Sequence, residues 1–169
     1  MSRPTRALAA LLAIATLASC GDDSDDGESA PERQRSADAI LRGLPPGYNY
    51  QRLPESAKEA VLGQAAPDSV VDQLTSSAIK RVVDDQGQVM GVAMALVTEN
   101  ELGEDDVLRG FEERAGQDAP TVMLGGKDGR IVTAQGLTLI LDVAGREMVA
   151  VGATTEADAR RMARGVLLD

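Results

Sequence analysis

Residues 78–97 read AIKRVVDDQGQVMGVAMALV, and this stretch decides the fold class. Ala78–Val83 and Val89–Val97 are apolar runs. Asp84-Asp85-Gln86-Gly87-Gln88 between them is polar, turn-prone and of hairpin length, so the two runs read as paired antiparallel strands. Side chains alternate across a strand. On the second run Val89, Gly91, Ala93, Ala95 and Val97 therefore share one face, and Met90, Val92, Met94 and Leu96 share the other. Small residues on the first face let a helix approach closely. The second face is large, flexible and apolar, where an antiparallel strand with one solvated side would be polar. Two accounts follow. Either the strand is central and buried on both faces by helices and the N-terminal segment, or Met90, Val92, Met94 and Leu96 form an open face that binds something. Two-sided burial explains any continuous apolar strand and is the simpler account.

Further strand and helix signals extend on both sides. Gly47–Leu53 alternates like an edge strand, Pro54–Gln64 suits a helix, and Val70–Leu74 is ambiguous. Downstream, Glu104–Ala115 is a helix with an acidic first turn, an apolar side of Val107, Leu108 and Phe111, and a stop at Gly116. Thr121–Gly125 and Arg130–Ala134 form a hairpin over Gly126-Lys127-Asp128-Gly129, in which Asp-Gly favours left-handed turn geometry. Leu137–Val143 and Glu147–Gly152 form another, joined through Ala144-Gly145, and Leu137, Leu139, Leu141 and Ile140 again put apolar side chains on both faces. Thr155 and Asp158 resemble a capping box, after which Ala159, Met162, Ala163, Val166 and Leu167 follow a helical period. Hairpins interrupted and closed by helices predict an α+β fold: a single small domain, mainly an antiparallel sheet with helices packed on one face. There is no internal repeat.

The N-terminus has a different composition. Arg3 and Arg6 precede an uncharged run, Ala7–Leu17 (ALAALLAIATL), which is too short for the ~20 apolar residues a bilayer core requires. The run ends in Leu17-Ala18-Ser19-Cys20, followed by Gly21. This segment resembles the lipobox of bacterial prolipoproteins. The resemblance implies cleavage before Cys20, so that residues 1–19 are a removed signal peptide. It further implies a diacylglycerol thioether on Cys20, acylation (palmitate-type) of the new amino group, and anchorage to the cell membrane on its extracytoplasmic side. Two or more acyl chains hold a protein stably where one does so only marginally. Gly21–Ser36 (GDDSDDGESAPERQRS) cannot bury a core and reads as a charged tether; Ala37–Gly43 adds a short helical turn before Pro45-Pro46-Gly47. The expected organisation is signal peptide 1–19, lipidated Cys20 and tether 20–44, and folded domain 45–169.

Composition narrows the chemistry. The 169-residue chain has a net charge of −10, which becomes −12 once Arg3 and Arg6 leave. An acidic body speaks against nucleic acid and against an overall electrostatic grip on anionic headgroups. Cys20 is the sole cysteine, so no internal disulfide can form. Histidine is absent, which removes Ser-His-Asp triads, Cys-His pairs and imidazole metal ligands. Tyr48, Tyr50 and Phe111 are the only aromatic residues, too few for a sugar- or base-stacking platform.

The remaining motifs are better explained structurally. Asp22, Ser24, Asp26 and Gly27 match the start of an EF-hand calcium loop, but its twelfth position is Arg33 where the pattern needs a bidentate Glu. Paired carboxylates are the only catalytic chemistry the composition leaves open, and Asp84/Asp85, Glu99/Glu101 and Asp105/Asp106 are the candidates. All lie in turns or at a helix start, where solvation and capping account for them. Gly125-Gly126-Lys127-Asp128-Gly129 lacks phosphate-loop spacing, and strands flank it. Arg160, Arg161 and Arg164 lie off the apolar stripe of the last helix, where they complement its dipole or contact an anionic partner. No catalytic residue, metal site or cofactor is assigned. The expected function is a non-enzymatic, membrane-tethered binding or interaction domain; the alternative is a carrier or sensor of apolar, lipid-like ligands that uses Met90, Val92, Met94 and Leu96.

Overall fold

The computed structural model describes residues 37–134 and 136–168. Cys20, the signal segment and the tether through Ser36 lie outside the described residues.

The chain runs β1 (Tyr48–Arg52), α1 (Glu55–Ala65), α2 (Asp68–Val71), β2 (Leu74–Asp84), β3 (Val89–Thr98), α3 (Glu104–Ala115), β4 (Thr121–Met123), β5 (Asp128–Ala134), β6 (Leu137–Ala144), β7 (Glu147–Ala153) and α4 (Glu156–Leu168). Residues 37–40 add a helical turn. One seven-stranded sheet, in the order β1-β2-β3-β7-β6-β5-β4, holds every strand of the described residues, and each neighbouring pair is antiparallel. It consists of two meanders, β1-β2-β3 and β4-β5-β6-β7, sealed along β3–β7 from Gly91↔Ala153 to Val97↔Glu147. This is the expected single α+β domain with an antiparallel sheet.

Both faces of the sheet are covered, whereas helices were expected on one. On one side Val92, Met94 and Leu96 of β3 join Leu139, Leu141, Met148 and Ala150, beneath Ala57 and Val61 of α1, Val70 of α2, and Val107, Leu108 and Phe111 of α3. On the other side Ala93 and Ala95 join Ile140, Val149, Val151 and Ala153, beneath Ala159, Met162, Ala163 and Val166 of α4. The reason lies in the central strands. β3, β6 and β7 carry apolar side chains on both alternations, and each buried Leu, Ile or Met contributes about 1.5–3 kcal/mol only if covered. One helical layer would leave half of that surface in water.

Local chemistry fixes the helices. Thr155 caps α4: Asp158 N donates to Thr155 Oγ1 at 3.1 Å, and that hydroxyl donates to Asp158 Oδ2 at 2.6 Å. Gly116 ends α3 with φ +69°, where its N–H donates to Glu112 O at 2.7 Å. Gly91 serves packing: a Cβ there would lie 2.1 Å from Gly152 O and 2.9 Å from Met162 Cε. Its absence lets α4 settle onto β3, as the small-residue face implied.

The folded region begins earlier than residue 45. Ala37 and Leu41 are buried in the α4-side layer, so the helical turn belongs to the core and not to the tether. Lys80 Nζ reaches Asp38 Oδ1 at 2.7 Å, and Tyr50 Oη donates to Gly43 O at 3.2 Å, fastening the segment across β1 and β2.

Candidate functional site

The four residues singled out on the 89–97 strand do not form one surface. Val83 pairs with Val89 and Val82 with Gly91, which leaves Met90 as an extra residue in a β-bulge. A bulge shifts the alternation. Met90 is consequently half-buried against the α4-side layer. Val92, Met94 and Leu96 face the opposite layer at 7, 3 and 0% exposure, beneath α1, α2 and α3. The structure therefore brings three of the four together as core and separates the fourth.

Of the candidate carboxylates, Asp84, Asp85 and Asp106 hold a turn or a helix start, and Glu99, Glu101 and Asp105 are exposed. Asp84 Oδ1 accepts from the backbone N–H of Gln86 at 2.9 Å and of Gln88 at 2.8 Å, closing the β2–β3 turn. Asp85 accepts from Asn49 Nδ2 at 3.4 Å. Glu99 and Glu101 are exposed, and Asp106 pairs with Arg109 at 3.3 Å in the first turns of α3. In the β4–β5 turn Gly125 and Gly126 adopt φ +71° and +109°, and Leu124 N donates to Lys127 O at 2.9 Å. That is hairpin geometry.

Two clefts flank Asp142. The larger, about 340 Å³, lies where the end of α4 meets the β6–β7 hairpin and the N-terminal turn. Ile40, Val149, Val166 and Leu167 give it an apolar floor, with Arg42 and Glu147 at the rim and Lys127 paired to Asp142 at 2.6 Å. The smaller, about 270 Å³, is polar; Arg130 spans it from Glu104 at 3.1 Å to Thr121 Oγ1 at 3.0 Å. Among the described residues no group of three or more His, Cys, Asp or Glu is placed to hold a metal. The larger cleft thus combines an ion pair with an apolar floor, whereas the smaller is lined mainly by charged and hydroxyl side chains.

Sequence reasoning missed the latch around Tyr50. Lys80 Nζ sits 5.3 Å from the Tyr50 ring centroid while also pairing with Asp38. Burial pushes the Tyr50 hydroxyl up to about 12. The available signal was the helical spacing of Ala37 and Leu41, which marks a buried side on the short turn.

Among the described residues no helix is long and apolar enough to cross a membrane. Comparison with protein-family models, with curated proteins and with solved structures finds no match for the chain.

Proposed function

We propose that this chain is a lipoprotein, tethered through Cys20 to the extracytoplasmic side of the cell membrane, whose folded domain is a non-enzymatic interaction module. One observation carries the reading: Leu17-Ala18-Ser19-Cys20 closes a short uncharged run behind Arg3 and Arg6. The non-enzymatic part is supported by a chain without histidine and by candidate carboxylates that either hold a turn or helix start, as Asp84 and Asp106 do, or stand exposed to solvent, as Glu99 and Glu101 do. An interaction module is favoured over an apolar-ligand carrier because Met94 and Leu96, the centre of the carrier face, are core residues.

Expression of the full chain in a bacterium with labelled palmitate tests the reading. Wild type should incorporate label, appear as a processed species and partition into detergent. Cys20→Ala should do none of these. In-cell crosslinking followed by mass spectrometry should then recover a protein partner; co-purified lipid held by the folded domain would favour the carrier instead. A Cys20→Ala chain that is processed and still enters detergent would sink the lipoprotein reading.

A further inference from the structure

We propose, resting on the lipid anchorage above, that α4 is the membrane-facing side of the tethered domain, its solvent face meeting anionic phospholipid headgroups through Arg42, Arg161 and Arg164. All three side chains are exposed and make no ion pair among the described residues. The described carboxylates of the N-terminal turn and α4 are already engaged, Asp38 with Lys80, Glu156 with Arg160 at 2.6 Å, and Asp158 with Thr155; Glu147 of β7, exposed at the cleft rim with Arg42, is a single carboxylate set against the three arginines.

The opposite layer has the reverse character. Residues 55–72 and 104–115, which comprise α1, α2 and α3, carry nine carboxylates against three basic residues. Each of those three is paired, Lys58 with Glu55, Arg109 with Asp106 and Arg114 with Asp68. The domain is thus electrically two-sided, and the chain leading to the anchor enters on the less acidic side. Ala37 is buried beneath that side, and Pro45 lies against Gly165 of α4.

The acidic chain as a whole is repelled by an anionic surface, so the lipid supplies retention and the asymmetry sets orientation. Residues 21–36 span at most about 55 Å when fully extended, which keeps the domain close to the bilayer. Headgroup charge acts only within about 8–10 Å at physiological salt. Turning α1–α3 toward the surface brings unpaired carboxylates into that zone; turning α4 toward it brings unpaired arginines.

The test uses the full lipidated chain in vesicles of phosphatidylcholine, with or without phosphatidylglycerol, footprinted with an arginine-modifying reagent and read by mass spectrometry. Phosphatidylglycerol should lower labelling of Arg161, Arg164 and Arg42 several-fold while Arg109 on α3 is unchanged, and high salt should erase the difference. Arg161→Glu combined with Arg164→Glu should abolish the protection of Arg42. Equal labelling in both vesicle types, or equal protection of Arg109, overturns the orientation and leaves the anchor reading standing. A purified chain whose mass shows no lipid overturns both.

Discussion

Gly165 of α4 lies directly against Pro45: a Cβ on the glycine would stand 2.6 Å from Pro45 Cδ, 2.8 Å from its backbone nitrogen and 3.0 Å from the Leu44 carbonyl carbon. Two of those atoms are backbone and cannot swing away. Gly165→Ala gains about 1 kcal/mol of helix propensity, yet forcing this contact costs about 1–3 kcal/mol. Net destabilisation is expected, larger for Gly165→Val, as a lower urea midpoint. An unchanged or raised midpoint would show that the N-terminal segment does not press on α4.

The same segment yields a truncation test. A chain beginning at Ala37 keeps Ala37 and Leu41 in the core and should melt cooperatively. One beginning at Pro45 loses both residues, the Asp38–Lys80 pair and the Tyr50–Gly43 bond. Burial of Leu41 alone is worth about 1.5–3 kcal/mol. Thermal denaturation of the two chains should differ clearly; identical melts would return residues 37–44 to the tether.

Met94 and Met123 make a matched pair, 3% and 63% exposed. Met94→Asp puts an unpaired carboxyl group beneath α1–α3, and its desolvation together with the lost methionine packing is comparable with the whole stability, about 5–15 kcal/mol, of an ordinary domain. It should abolish the folded circular dichroism spectrum. Met123→Asp should change stability by no more than about 0.5 kcal/mol. A folded Met94→Asp chain would reopen the carrier reading.

Thr155→Ala removes the N-cap bond from Asp158 N and the hydroxyl–carboxylate bond to Asp158 Oδ2, and should cost about 0.5–2 kcal/mol. Thr155→Ser should restore most of it. Urea titration of the three chains checks the order; a silent Thr155→Ala would mean that packing alone holds the start of α4.

Tyr50 gives a pH signature. Its hydroxyl is raised to about 12 by burial, above the ordinary value of 10.0. The neutral phenol is thus favoured in the folded state. Its contribution is whole below pH 10 and is lost as pH rises from about 10 through 12, because the unfolded chain ionises first. Tyr50→Phe should flatten that part of the stability–pH curve and should also release Gly43 O. Tyr50 titrating near 10 in the folded protein, by ultraviolet absorbance, would contradict the burial.

Local signals in the sequence determined the local structure. The spacing of Val107, Leu108 and Phe111 with Gly116 placed α3 at its observed bounds, and Thr155 with Asp158 marked the start of α4. The glycine-rich breaks after Met123 and at Ala144-Gly145 marked the hairpins β4–β5 and β6–β7, although the first turn is made by Gly125 and Gly126 while Asp128-Gly129, expected in the turn, already pairs within β5. The reading of Cys20 rests on residues 3–21 alone, since a processing motif is recognised as a linear segment. Tertiary structure decided what depends on distant partners. Pairing of β3 with β7 joins residues 50 to 62 positions apart, and no local pattern specifies which apolar strands meet. That pairing gives the centre of the sheet two apolar faces, which then require α1–α3 on one side and α4 with the 37–40 turn on the other. The Met90 bulge exists only because β2 and β3 are held in a particular register, so strict alternation put Met90 beside Met94 while the folded sheet sends them to opposite layers. Period and turn chemistry act over a few residues. Burial is settled by whatever the whole chain brings to each face.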